Sequence, residues 1–234
     1  MRNFKNKFDE AENLLALIAS LDLKADRLIL DIGCGHGKYL KLLQENGLNG
    51  VGVDINASIV KTNLANGLSC MTPEEFDRSS DSYDLMIMSH VIEHFPPPEL
   101  LHFIEHYLER LNTGGHLIIA TPLMWPCFYA DFDHIRPYPP EAIDWMFCLD
   151  NPQVQFCSKY RLERTGVRIR RQAILPSWGQ KLYLEQNRPR LYKLQEKLFG
   201  FLFNITAGLI GMTTGWIGLY KYKGPRNESE QIAP

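Results

Sequence analysis

The stretch LILDIGCGHGKYL, Leu28 to Leu40, decides how the rest of the chain is read. An apolar run of strand character meets Asp31 and then places glycine at positions 33, 35 and 37, after which GKYLKLLQENG takes up helical spacing. A strand that enters a helix through glycines brings bare backbone N–H groups close to a ligand, because side chains there would block its approach. Nucleotide-like cofactors are held in this way. A dinucleotide site needs a third small residue where helix and strand pack, and that place holds Lys38, which does not suit it.

Downstream, GVGVDI, LSCM, YDLMIMS and GHLIIAT read as strands, alternating with the helical patterns ASIVKTNLANG and PELLHFIEHYLERLN. Such alternation predicts βαβ units, a mostly parallel sheet and helices on both faces, hence a doubly wound α/β domain. Gly67 is expected to end the second helix and Gly114 with Gly115 the long one. Ahead of the glycine loop, Leu14, Leu17, Ile18 and Leu21 recur at the spacing of an amphipathic helix. Beyond Thr121 the pattern loosens into TPLMWPCFYADFDHIRPYPP, a loop with five prolines, then PPEAIDWMFCL as a helix opened by Pro140 and GVRIRRQAIL as a strand.

Composition narrows the classes. The 234 residues fit one α/β domain with an insertion, and a formal net charge of −2 implies no chain-wide attraction to nucleic acid or anionic membrane. Five cysteines without a CxxC pair argue for reduced thiols inside the cell, and the N-terminal stretch does not match a secretory signal.

The GxGxG loop with Asp31 two residues ahead of Gly33 resembles class I S-adenosylmethionine-dependent methyltransferases, and the resemblance runs from Leu28 to Pro122. It implies a seven-stranded, Rossmann-like methyltransferase sheet with a helical insertion before the last strand. On the matching positions it implies a cofactor site formed by Asp31, Gly33, Cys34, Gly35, Gly37, Asp54, Ile55, Met71, Thr72 and Ser89. Gly33, Gly35 and Gly37 would admit the methionine end. Asp54, closing GVGVDI, would accept from the ribose diol, and Met71 to Thr72 would face adenine. Many relatives carry Gly-Asp-Ala where this chain has Met71–Thr72–Pro73, so adenine recognition would rest on main-chain groups. Read alone, a glycine-rich turn is only a tight turn and Cys34 a small space-filling residue; the order of Asp31, Asp54 and the later strand ends sets that reading aside.

SHVIEHF follows the fourth strand, at the carboxyl edge where open α/β sheets bind ligands. If a helical turn begins there, His90, Glu93 and His94 share one face, and FDHIRPYPPE overhangs them with His134. These four residues are the candidate catalytic set. His94 and His134 are the expected orienting or deprotonating groups for an alcohol or phenol, and a carboxylate acceptor would need no base. The segment also resembles quinone-biosynthesis O-methyltransferases and small-RNA end 2′-O-methyltransferases, some of which hold a divalent metal through two glutamates and two histidines. Here His90 replaces the first glutamate, so no metal is assigned, although His90, Glu93, His94 and His134 would suit an ion softer than Mg²⁺. The competing structural reading has Glu93 and His94 stabilising the strand-to-helix turn.

LFGFLFNITAGLIGMTTGWIGLY, Leu198 to Tyr220, carries no charge. Because TGWIGLYKYKG fits a last strand antiparallel to GVRIRRQAIL, too little is left to span a bilayer, and an apolar and basic helical insertion over 177–213 is expected instead. The domain is drawn as 1–225 with a flexible tail at 226–234. The whole predicts a cytoplasmic enzyme methylating a small or amphiphilic acceptor at oxygen, with contact to a membrane surface through 177–220 left open. Three alternatives stay beside it: an NAD-dependent oxidoreductase, which Lys38 and the lack of a YxxxK pair oppose; a catalytically silent cofactor-binding domain at a membrane complex; and an RNA methyltransferase, which the acidic balance and the lack of an RNA-binding module oppose. No DNA partner is implied.

Overall fold

The computed structural model describes residues 9–150, 154–174 and 190–226. Its chain order is α1 (Glu10–Ala19), β1 (Leu28–Ile32), α2 (Lys38–Glu45), β2 (Asn49–Val53), α3 (Ala57–Ala65), β3 (Cys70–Met71), α4 (Pro73–Arg78), β4 (Tyr83–Ser89), α5 (Pro97–Leu108) and β5 (Leu111–Pro122). Then come α6 (Pro140–Ile143), β6 (Tyr160–Gln172), α7 (Arg190–Ile205) and β7 (Met212–Pro225).

Seven strands form one sheet in the order β3-β2-β1-β4-β5-β7-β6. The first five run parallel, and β7 lies antiparallel between β5 and β6. That reversal puts the start of β7 and the end of β6 at the carboxyl edge of the parallel strands, since Gly215 pairs with both Pro122 and Arg170. Every ligand-facing strand end therefore lies on one rim.

Both faces of the sheet are buried, which is why the central strands read as unbroken apolar runs. Ile29, Leu85, Ile87, Ile118 and Ile217 pack under Leu14, Leu17 and Ile18 of α1 and Tyr39 and Leu43 of α2. Their strand neighbours Leu30, Met86, Met88, Ile119 and Trp216 face Leu100, Ile104 and Tyr107 of α5 and Ile143 of α6. The period of two along each strand thus feeds two cores. Asp9 caps α1 by accepting from Glu12 N, which fixes where that helix starts.

Several details differ from the sequence reading. Helix α5 stops at Leu108, six residues before Gly114, because Leu111 already pairs with Tyr83. Gly114, at φ +87°, and Gly115 serve instead an irregularity in β5, and a Cβ on Gly115 would stand 2.8 Å from Asn112 O. Thr72 opens a short helix that the pattern did not announce: its hydroxyl accepts from Glu75 N, and Glu75 returns a carboxylate oxygen to Thr72 N, with Pro73 in the first turn. Helix α6 passes into a π-helical turn, Asp144–Cys148. Of the 177–213 insertion, 177–189 lie outside the described residues, and α7 occupies most of 190–213. Arg226, which the sequence reading places in the tail, is buried and donates to Ser158 O and Phe147 O; residues 227–234 lie outside the described residues.

Candidate functional site

The glycine loop turns above β1 with Gly33, Gly35 and Gly37 all at positive φ. Gly33 N and Cys34 N donate to Val53 O at 2.8 and 3.1 Å, so the loop is tied to β2 as well as to β1. Gly33 and Gly35 face different surroundings. A Cβ on Gly33 would stand 2.6 Å from Val91 Cγ2, whereas one on Gly35 would meet no described atom within 4 Å. The left-handed backbone favours glycine at both positions; at Gly33 packing inside the chain also bars a side chain, whereas the space beside Gly35 is open to a ligand.

Asp54 follows β2 and meets this loop directly. Its Oδ2 accepts from Gly35 N and its Oδ1 from Asn56 N, each at 2.8 Å, and each oxygen retains a lone pair. Asn63 of α3 donates to Gly35 O at 2.8 Å and fixes the loop from the other side. Next to Asp54, Ile55 is 90% exposed, a large apolar side chain presented at the rim of a polar loop. Met71 ends β3, paired with Val53, and Thr72 follows it with its hydroxyl engaged in the helix cap. Cys34 is buried with its Sγ 3.4 Å from Cys70 Sγ, and burial raises its thiol pKa, consistent with a packing role. Asp31 is 1% exposed, and its Oδ2 has no partner among the described residues. Burial first, and the charge of Asp54 second, push its pKa up to about 7.

Beyond Ser89 at the end of β4, His90 takes a left-handed backbone conformation (φ +56°) and donates its N–H to Ala120 O. This sharp exit turns its ring between two acids: Nε2 lies 3.0 Å from Glu10 Oε2, and Nδ1 lies 3.2 Å from Glu93 Oε1. Burial alone would lower the His90 pKa, but the hydrogen bond to Glu10 and the two carboxylate charges outweigh it and push the pKa up to about 9. Arg170 Nη1 also reaches the ring, 3.0 Å from His90 Nε2.

Glu93 is fully buried; its Oε2 accepts from Thr121 Oγ1 at 2.8 Å, and its Oε1 faces His90 Nδ1 at 3.2 Å and His134 Nε2 at 4.0 Å. His94 and His134 face it. His94 Nδ1 lies 3.0 Å from Asp133 O and His134 Nδ1 lies 2.7 Å from Phe128 O. A carbonyl can only accept, so both Nδ1 atoms carry a proton; His134 Nε2 lies 3.6 Å from Asp131 Oδ2 and 4.0 Å from Glu93 Oε1. Glu93, His94 and His134 each offer a donor atom, all within 4.8 Å of one another. His90, counted with them in the sequence, stands apart as the ring that bridges Glu93 to Glu10.

Two members of the rim carried no functional sign in the sequence. Glu10, in the first turn of α1, forms an ion pair with Arg170 near the end of β6 and accepts from Tyr39 Oη and from Ser89 Oγ at 3.2 Å. Although burial opposes it, contacts with His90, Arg170 and Tyr39 hold the Glu10 carboxyl far below the usual range. An acid at a helix start is ordinary capping chemistry, so only the landing point of α1 reveals this role. A cleft of about 330 Å³ opens here, lined by Asp9, Glu10, Lys38, His90, Arg170 and Arg171, with Gln172 and Thr214 completing it.

A family model described as a methyltransferase domain matches residues 5–164, more than half of the chain. A ubiquinone biosynthesis O-methyltransferase of Chelativorans sp. (strain BNC1) is 32% identical over 101 residues, 40% of this chain and 39% of that protein. Its counterpart in Bradyrhizobium diazoefficiens is 28% identical over 112 residues, 44% of this chain and 43% of that one. The match thus spans about two fifths of the length of these relatives. Among solved structures, a SAM-dependent methyltransferase from Archaeoglobus fulgidus superposes with a TM-score of 0.53 at 20% identity, covering 93% of this chain and 97% of that one. Magnesium protoporphyrin IX methyltransferase from Synechocystis PCC 6803, with bound SAM, gives 0.53 at 14% identity over 90% and 77%. These likenesses establish the Rossmann-like methyltransferase fold, and the family match establishes that the chain belongs to the methyltransferase domain family.

Proposed function

We propose that this member of the family transfers a methyl group from S-adenosylmethionine to an oxygen of a small, lipid-like acceptor. The observation that carries the reading is the junction of Gly35 and Asp54, where open backbone and a carboxylate with spare lone pairs adjoin the exposed Ile55. In this reading the loop from Gly33 through Cys34 to Gly37 cradles the methionine end, Asp54 accepts from the ribose hydroxyls, and Ile55 lies against the purine. Met71 and Thr72 border the purine edge, Asp31 stabilises the loop and the cofactor's positive charge, and Ser89 borders the sulfonium. S-adenosylmethionine supplies an electrophilic methyl group. The chain's task is to hold the acceptor oxygen in line with it.

Acceptor chemistry falls to the neighbouring cluster. His94 or His134, each anchored through Nδ1 to a backbone carbonyl, takes the proton of an alcohol or phenol at Nε2, and buried Glu93 stabilises the imidazolium that results. Both ring nitrogens of His90 are engaged by carboxylates, so it serves as the bridge that keeps Glu93 and Glu10 in place and not as the base. A second reading is favoured by the convergence of one donor atom each from Glu93, His94 and His134 within 4.8 Å: these residues would hold a divalent ion, which would acidify the acceptor hydroxyl. Both Nδ1–H groups donate to backbone carbonyls, as ligating histidines commonly do.

For a lipid-like acceptor the outer face of α7 adds support. Leu194, Leu198, Phe201 and Ile205 recur at helical spacing and are 52–63% exposed, with Lys193 and Lys197 also exposed beside them. No helix among the described residues is long and apolar enough to cross a membrane, so contact through this face would be with a membrane surface. Incubating the protein with methyl-labelled cofactor and lipid and aqueous extracts tests the activity: a labelled ether or ester supports it. No labelled product from a preparation that binds S-adenosylhomocysteine removes catalysis while leaving the cofactor seat.

A further inference from the structure

The polar cleft beside Glu10 does not end at Gln172. A second hollow of about 340 Å³, mostly apolar, continues from it beneath α7 and shares Asp9, Arg171 and Gln172 as its border, with Ala173, Gly200, Phe203 and Asn204 forming its far walls. Each is of a size that takes part of a small ligand, for which clefts run about 300–1,000 Å³.

Gly200 is the telling residue. It is the eleventh of sixteen residues of α7, where glycine is the most costly choice after proline. Its φ is not positive, so the backbone does not require it, and a Cβ there would meet no described atom within 4 Å, so packing does not require it either. Phe203 and Asn204, three and four residues on, share its face, so the bare position opens onto the hollow. The outward stripe of Leu194, Leu198, Phe201 and Ile205 lies on a different side of the same helix.

The two ends differ in charge. Arg170 and His90 are committed to Glu10. Lys38 has no carboxylate partner among the described residues and lies over the Tyr39 ring, while Arg171 donates to Leu209 O and Gly211 O and keeps a buried Nε that has no partner among the described residues. Asp9 spends one carboxylate oxygen on its helix cap. The cleft thus offers Lys38 and Arg171, neither in an ion pair with a carboxylate among the described residues, with Asp9 at their border, and an apolar slot at the other end.

We propose that cleft and slot form one site for a single-chain amphiphile with an anionic head: the head between Lys38 and Arg171, the chain along Gly200 and Phe203. The inference rests on the proposed methyl transfer in taking this ligand to be the acceptor. Its binding is independent of cofactor and can be measured alone.

Calorimetric titration of the full chain without cofactor tests it, with decanoate, decyl phosphate, decyltrimethylammonium and decyl glucoside below their micelle-forming concentrations, and acetate and inorganic phosphate as heads without chains. One-to-one binding of the two anionic chains, at least tenfold tighter than the cationic and neutral ones and than the bare heads, is the expected result. Gly200→Leu fills the slot where there is space for it and improves helix propensity, so it should weaken decanoate at least tenfold with the melting temperature unchanged or raised. Lys38→Gln should weaken decanoate and leave decyl glucoside as it was. Equal binding of the cationic chain, indifference to Gly200→Leu, or binding only to vesicles containing anionic lipid overturns the site. If S-adenosylhomocysteine binds and no amphiphile does, this inference falls while the methyl-transfer reading stands.

Discussion

The two halves of the sheet's carboxyl rim are assembled in opposite ways. At the cofactor half, Gly35 meets Asp54 across 19 residues and one strand pairing. At the acceptor half, Glu10 meets His90 across 80 residues and Arg170 across 160, and His94 meets Asp133 across 39. The first half is a local motif that any parallel β-α-β turn of this sequence would form. The second exists only when α1, β4, the loop after β5 and β6 have all been docked. It follows that damage to the first should impair binding with the fold retained, and damage to the second should change catalysis or stability.

The largest expected effects fall on the acceptor half. His94→Ala and His134→Ala should each lower kcat by about 10²–10⁴-fold if the residue is the base, with S-adenosylhomocysteine affinity preserved. Steady-state rates set beside calorimetric affinity separate the two. If both variants keep the wild-type rate, the acceptor needs no base, as a carboxylate would not. A chelator and a series of divalent ions sharpen the same comparison: ion-dependent activity that is lost in Glu93→Gln supports the metal reading, and unchanged activity after chelation supports histidine alone.

Next comes the pH dependence of the cofactor half. Asp31 is raised to about 7, so its neutral form is favoured in the folded protein, and its contribution to stability is present below the unfolded value and lost as pH rises through 7. Binding of the ammonium-bearing S-adenosylhomocysteine favours the carboxylate. Affinity should therefore rise, by up to about tenfold between pH 6 and 8 for one linked proton, and be flat in Asp31→Asn. A flat wild-type profile would show that Asp31 does not sense the cofactor.

The Glu10–His90 bridge gives a smaller, opposite signal in stability. Glu10 is depressed, so its contribution is present above the ordinary carboxyl range and lost only in strong acid. His90 is raised to about 9, so its contribution is full below about 6.5 and disappears as pH climbs through 9. Its side chain is 42% exposed, and solvent screening reduces the gain to about 1 kcal/mol, which is about 2–4 °C in Tm for a chain of this size. Thermal melts at pH 6 and pH 9.5 should differ by that much more in wild type than in Glu10→Gln. Smallest of all, Leu198→Ser on the exposed face of α7 should leave stability within about 0.5 kcal/mol and reduce co-sedimentation with anionic vesicles. Unchanged sedimentation would remove that face from the reading.

What could be read in the sequence obeys the same division. Asp31, the three glycines and Asp54 lie in strand–turn–helix units whose geometry is set within a few residues, so both their positions and their proximity were legible. The apolar period gave both cores, and TGWIGLYKYKG gave the antiparallel last strand. Glu10 and Arg170 were not legible, because an acid in a first helical turn and an arginine in a charged edge strand have ordinary local explanations. His90 looked like a fourth member of the histidine cluster. The left-handed turn after Ser89 sets its ring between Glu93 and Glu10, and a single φ angle has no sequence signal at a non-glycine residue. Gly114 and Gly115 misled in the same way, since a strand irregularity and a helix end use the same residue.

The central claim is tested most directly by titrating the purified protein with S-adenosylhomocysteine, with Asp54→Ala alongside and circular dichroism to verify folding of both. Saturable one-to-one binding by the wild type, weakened about 10–100-fold in the variant by loss of charge-assisted hydrogen bonds of about 1.5–3 kcal/mol, is the predicted result. A folded wild type that takes up no nucleoside, or a variant that binds as tightly as its parent, would contradict it.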